Sequence, residues 1–261
     1  MSDGSIAHNE QGFVSVWEFE KLMLNNLQKM NRINNVENIG VSPNSTKPPV
    51  VGSTVILGDC VEVMKGFEDN QFDLAIVDPP YGIVNDTKAT GFKNDTFANI
   101  RTAKEWDIKP VKEYWSELFR ISKNQIIWGF QYFIEELPST KSVIIWDKMN
   151  GENFMNDAEL AWSSCKGNNK IFKHAYIGRY NPEPIKIHPT QKPVKLYEWV
   201  LKTYATEGMK VIDTHLGSGS SRIAADKAGL DFTGIEIDKE YFDLSEKRFK
   251  QYKSQLRIEG W

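Results

Sequence analysis

Val211-Ile212-Asp213-Thr214-His215-Leu216-Gly217-Ser218-Gly219-Ser220-Ser221 passes from a β-branched run through a glycine-rich turn into a segment that keeps helical spacing to Ala228. A strand ending in an acid, then glycines, then a helix brings backbone close to a ligand, because glycine has no Cβ to hold that ligand away. A second acid, Glu236, lies about 20 residues further on at the end of the next apolar run, a spacing that suits an acceptor for ribose hydroxyls. By itself the pattern fits a dinucleotide-binding dehydrogenase equally well, and it is sometimes only a tight turn.

Working outward, short apolar runs predict strands over 54–57, 72–77, 125–128, 142–146, 159–163, 209–213 and 232–237. Helical spacing predicts helices over 61–67, 111–121, 193–204, 220–228 and 239–255. Strands that alternate with helices in this way imply an α/β fold, with a mostly parallel sheet and helices on both faces. The core begins near Val50 and gives a main domain over 51–261. Residues 1–50 are peripheral. Val14, Val16, Trp17, Phe19, Leu22, Met23, Leu24 and Leu27 predict a helix there, and the Pro- and Ser-rich run 42–49 reads as a linker. That helix either packs on the main domain or serves a partner contact.

A chain of 261 residues, 40% of them hydrophobic, buries a sizeable core. It has no apolar run of membrane-spanning length, and its polar start lacks a signal-peptide pattern. Two cysteines, Cys60 and Cys165, fit a reducing, cytoplasmic setting. The four histidines show no metal-ligand spacing, so no metal is expected. Net charge is −3, but it is unevenly spread. Between Ser164 and Lys202 eight basic residues face two acidic ones, leaving that segment at +6 and the remainder at −9. The segment reads either as a solvated lysine-rich loop or as a surface facing phosphates.

Asp78-Pro79-Pro80-Tyr81-Gly82 follows directly on the apolar run Phe72–Val77. The carboxyl end of a parallel strand is where open α/β sheets bind ligands. Two prolines stiffen the turn, which lets a carboxylate and a neighbouring carbonyl be aimed at one point. The plain alternative is a rigid turn with an aromatic plug.

Taken together and in this order, the two segments resemble the DNA methyltransferases that modify adenine N6 or cytosine N4. With the acidic Pro-Pro turn first and the glycine loop last, the chain looks like the circularly permuted β class of that family. His188-Pro189-Thr190-Gln191-Lys192-Pro193, Gly58-Asp59-Cys60 and the run Phe232–Asp238 match further elements of it, so the resemblance covers about residues 54 to 255. It implies a Rossmann-like methyltransferase fold and S-adenosyl-L-methionine as cofactor. Asp78 and the Pro79 carbonyl would accept hydrogen bonds from the target amine, and Asp78 would also border the cofactor. Pro80 would stiffen the turn, and Tyr81 would stack on a base flipped from the duplex. Asp213, His215, Gly217 and Gly219 would surround the methionine moiety, and Glu236 would hold the ribose. Asp59 and Cys60 would sit by the cofactor's adenine. Gln191 and Lys192 would meet its carboxylate, with a phosphate or solvent contact as the alternative for Lys192. One departure stands out: after Asp213 the family usually has Pro-Phe, and this chain has Thr214-His215.

The polar stretch 83–106 is expected to close over the flipped base, with Lys88, Lys93 and Arg101 as phosphate partners, or to be an idle surface loop. Target recognition is expected over 148–187, with Lys166, Lys170, Lys173, Arg179 and Lys186 on DNA. So short an insert implies a loosely read site, a homodimer that shares the reading, or a separate recognition subunit. The leading expectation is an adenine N6 DNA methyltransferase, because the motif begins with Asp where cytosine N4 relatives more often have Ser. Cytosine N4, an RNA adenine, and a weakly active or non-catalytic DNA-binding subunit are the alternatives.

Overall fold

The computed structural model describes residues 52–82, 107–151, 156–175 and 186–259. The helix expected near the N-terminus, Lys88, Lys93, Arg101 and Arg179 lie outside these residues. Eight strands form one sheet: β1 (Ser53–Leu57), β2 (Leu74–Val77), β3 (Gln125–Trp128), β4 (Ser142–Asp147), β5 (Ala158–Ser163), β6 (Lys170–Lys173), β7 (Lys210–Asp213) and β8 (Asp231–Glu236). Their spatial order is β1-β8-β7-β2-β3-β5-β4-β6. Among the described strands β5 alone runs against its neighbours, β3 and β4.

The helices are α1 (Cys60–Lys65), α2 (Lys112–Ile121), α3 (Val194–Tyr204), α4 (Ser220–Lys227) and α5 (Lys239–Glu259). A 3-10 turn, Phe130–Tyr132, follows β3. β2 and β3 are buried along their whole length, which is why their sequences are unbroken apolar runs. Leu74 and Ile76 join Val200, Ile223 and Phe232 in a core with α3 and α4 on one face. Ala75 and Val77 join Met64, Leu118 and Ile212 in a core with α1 and α2 on the other. Each fully buried aliphatic side chain in these layers contributes about 1.5–3 kcal/mol.

Within the described residues, the strands and helices expected from the sequence are present, with ends shifted by a few residues. β6 was not expected. Three of its four residues are exposed, so its sequence carries little alternation to read. It pairs in parallel with β4 and closes one side of the sheet, placing Lys170 and Lys173 on that margin. The connection β7–α4–β8 moves one way across the sheet and β2–α2–β3 moves the other. β2 and β7 are neighbours, so their carboxyl ends bracket the point where the direction reverses. Among the described residues no helix is long and apolar enough to cross a membrane.

Candidate active site

Parallel pairing of Leu74 with Val211 and Ala75 with Ile212 brings the turn after β2 and the loop after β7 to one end of the sheet. Open α/β sheets bind ligands at such a crevice. Pro79 is buried, while Asp78, Pro80 and Tyr81 are partly exposed. The Tyr81 hydroxyl donates to Asp78 Oδ1 at 2.6 Å. Its ring stacks on Tyr132 with centroids 4.7 Å apart and planes at 17°. Burial, and then the Asp78 charge, push the Tyr81 phenol well above its ordinary range, so it stays protonated and donates. The seat for this ring is Gly129, directly after β3, whose φ is +68°. A Cβ there would lie 2.2 Å from Tyr81 Cε1, so the Tyr81 position requires glycine.

The glycine loop is braced from three sides. Gly217 (φ +51°) donates its amide to Glu236 Oε2 at 2.7 Å, and Asp238 donates to Glu236 Oε1 at 2.9 Å. Gly219 (φ +72°) is the N-cap of α4 and supplies no side-chain cap. Arg248, on α5, donates to the Ser218 carbonyl and to Ser220 Oγ, both at 2.9 Å. Asp213 is buried and accepts from Ser221 Oγ at 2.6 Å and from the His215 amide at 3.1 Å. Burial raises its carboxyl to about 7 despite those two bonds. Burial also raises Glu236.

Thr214-His215, where the resembled family usually has Pro-Phe, forms a bonded pair. Thr214 Oγ1 is 2.8 Å from the Tyr114 hydroxyl and 3.0 Å from His215 Nδ1. The His215 ring lies edge-on to Tyr114, centroids 5.3 Å apart. Burial lowers His215 to about 4, so at neutral pH it presents an uncharged aromatic wall. Cys60 Sγ is 3.9 Å from His215 Nε2, and burial pushes the Cys60 thiol up to about 12. Asp59 caps α1, accepting from the Val61 and Glu62 amides at 2.8 and 3.1 Å. The Gly58 amide donates to the Glu236 carbonyl, so Asp59, Cys60, His215 and Glu236 gather at one end of β1 and β8.

The turn before α3 reaches the same loop. A Cβ on Gly217 would sit 3.5 Å from the His188 ring. Gln191 is buried and its Oε1 accepts from the Ile187 amide at 3.0 Å, bracing its own turn. Lys192 reaches the acidic Pro-Pro turn. It is 4% exposed and ion-paired with Asp78 Oδ2, and it lies 3.1 Å from Glu159 Oε2, where neither a phosphate nor bulk solvent reaches it. Glu159, Gly129 and Tyr132 were not singled out in the sequence. The available signals were an acid inside an apolar strand, which needs a buried partner, and a glycine at the end of the strand beside the catalytic one. Lys166, Lys170, Lys173 and Lys186 are exposed.

Two ligand-binding loops side by side at the reversal point of a mostly parallel sheet define a Rossmann-like methyltransferase architecture, and the loop bearing Asp78 comes first in the chain. Residues 139–247 match a family model for N6/N4 methyltransferases, described as DNA methylase. The type II methyltransferase M.HinfI of Haemophilus influenzae is 25% identical over 250 residues, covering 77% of this chain and 69% of that protein. M2.MboI of Moraxella bovis is 24% identical over 247 residues, covering 77% and 89%. The solved complex of M1.HpyAVI with SAM superposes with a TM-score of 0.50 at 18% identity, covering 75% of this chain and 98% of that one. The fold and these matches make the chain similar to the S-adenosylmethionine-dependent N6/N4 DNA methyltransferases.

Proposed function

We propose that the chain methylates adenine N6 in double-stranded DNA after flipping the base. The observation that carries this reading is Asp78, a carboxylate rather than a hydroxyl, at the head of the catalytic turn and beside the glycine loop.

The residues of the cleft fit S-adenosylmethionine. Its ammonium and ribose hydroxyls are donors, and Asp213 and Glu236 are buried acceptors at adjacent strand ends. Gly217 and Gly219 leave room for its methionine part, with the uncharged His215 ring as a wall. Asp59 and Cys60 would face its adenine, and Gln191 braces its own turn. When bound, the cofactor supplies a methyl group on an electrophilic sulfonium.

The exocyclic amine of adenine is a poor nucleophile because its lone pair is delocalised into the ring. Asp78 and the Pro79 carbonyl each accept one of its hydrogens, which draws the nitrogen toward a tetrahedral, more reactive geometry. Pro80 keeps the turn stiff. Tyr81 makes the aromatic contact with the flipped base, supported by Tyr132 behind it. Alignment of nitrogen, methyl and sulfur provides much of the rate. Residues 51–261 form the catalytic domain, and 148–187 carry recognition. Lys166, Lys170, Lys173 and Lys186 contact phosphates, together with Lys88, Lys93, Arg101 and Arg179 outside the described residues. A homodimer or a separate subunit completes the short recognition segment.

The test is transfer of labelled methyl to unmethylated DNA, followed by nucleoside analysis. N6-methyladenine is expected. N4-methylcytosine, label in RNA alone, or DNA binding without product each overturns the reading. Asp78→Ala is expected to lower kcat at least ~100-fold, the scale on which losing a transition-state hydrogen-bond partner acts. Its cofactor Kd should stay within about threefold, because Asp213 and Glu236 are the buried acceptors assigned to the cofactor's ammonium and ribose.

A further inference from the structure

Lys192 sits immediately before Pro193, the N-cap of α3, where the helix dipole disfavours a cation. Removing an ammonium from water costs several kcal/mol unless it is well paired. Two carboxylates offset that cost. Asp78 Oδ2 arrives from the catalytic turn, and Glu159 Oε2 arrives from the antiparallel strand β5. The Trp128 ring lies 5.6 Å from the ammonium. Glu159 is itself anchored on its other oxygen by Lys148 Nζ at 2.6 Å. Burial pushes the Glu159 carboxyl up, but the Lys192 and Lys148 cations outweigh this and hold it at about 2. The result is a row of alternating charge, Asp78, Lys192, Glu159, Lys148, in which Lys192 is the most buried member.

We propose that Lys192, braced by Glu159, is the positioning residue for Asp78: it takes Oδ2 while Tyr81 takes Oδ1, and so fixes the plane in which the carboxylate meets the target amine. The proposal rests on the reading of Asp78 as the amine's acceptor. Each carboxylate oxygen accepts more than one hydrogen bond, so the two clamps leave lone pairs for the substrate. An aspartate that rotates freely would spend its charge on water. Held at both oxygens, it is aligned before the base arrives. This assigns Lys192 to the chemistry of transfer rather than to the cofactor's carboxylate.

Beyond Tyr81, Lys192 and Glu159, the groups facing Asp78 are Tyr114 from α2, Tyr197 from α3 and Asp213 from β7. Burial keeps both tyrosines neutral, so Asp213 is the one of these three that changes charge near neutrality. The experiment measures kcat against pH at saturating cofactor and DNA for the wild type, Lys192→Met and Glu159→Gln. The series is repeated in Asp213→Asn, and cofactor Kd is measured by calorimetry without DNA.

Lys192→Met should lower kcat at least ~10-fold at pH 7 and move the acidic limb up by about one pH unit or more, with cofactor Kd within about threefold. Glu159→Gln removes a negative charge and nearly no volume, so its limb should stay or move down. A merely structural loosening has no reason to shift the two variants in different directions. The proposal is overturned if Lys192→Met weakens cofactor binding ~10-fold or more while kcat holds, since Lys192 would then be a cofactor ligand. It is also overturned if both variants lose activity with unmoved limbs. Should the wild type transfer no methyl to DNA, the functional reading fails on its own. The pairing is then read from a double-mutant cycle of Lys192→Met with Asp78→Asn in urea unfolding. There, coupling of less than about twofold in the unfolding constant overturns it.

Discussion

Gly129→Ala probes the seat of Tyr81 without replacing any residue assigned to cofactor or base. At φ +68° an L residue costs about 1–2 kcal/mol. The added Cβ would fall 2.2 Å from Tyr81 Cε1 and 2.4 Å from Cζ, inside any tolerable contact, so the ring must leave. Leaving breaks the stack on Tyr132, worth about 0.5–1.5 kcal/mol. It also breaks the bond to the Asp78 carboxylate, a charged acceptor, at about 1.5–3 kcal/mol. The expected loss is therefore about 3–6 kcal/mol, or roughly 6–24 °C in Tm for a domain of this size. Urea and thermal unfolding at pH 7.5 read the stability, and methyl transfer at saturating substrates reads kcat. We expect kcat to fall at least ~10-fold, because Asp78 loses one of its two clamps. A variant within about 1 kcal/mol of wild type and fully active would refute the argument, since Tyr81 could not then occupy the position described.

Two further expectations concern the ligands. The Asp213 carboxyl is held at about 7 by burial, and the cofactor's ammonium favours its ionised form. Affinity should therefore rise with pH, close to tenfold per unit below about 7 and levelling above it, with the dependence gone in Asp213→Asn; calorimetry between pH 5.5 and 8.5, as approximate limits, checks this. Replacing Lys166, Lys170, Lys173 and Lys186 singly by Ala should each reduce the slope of log K against log salt by about 0.9 and weaken all DNA sequences alike, read by titrating labelled duplexes at several salt concentrations.

The chain's local patterns carried the element types. β2 and β3 are continuous apolar runs because both of their faces are covered, and α2 and α3 show helical spacing because one side of each meets the sheet. The acidic Pro-Pro turn and the glycine loop were readable as local structure because each is a contiguous string whose conformation depends on its own backbone: two prolines that fix φ, two glycines at positive φ. β6 was not readable, since a four-residue marginal strand with one half-buried side chain leaves almost no hydrophobic signature.

Tertiary structure decided the partners. Asp78 and Lys192 are 114 residues apart, and Glu159 comes from a third element, so no spacing rule joins them. The Lys192 position was compatible with a cofactor carboxylate, a phosphate or solvent until the pairing of β2 with β3, and of β3 with β5, brought two acids to it. Gly129 likewise became a requirement only when Tyr81 was laid against it. Backbone conformation is largely set by neighbours along the chain, whereas the charge and orientation of a buried side chain are set by whatever the fold packs against it.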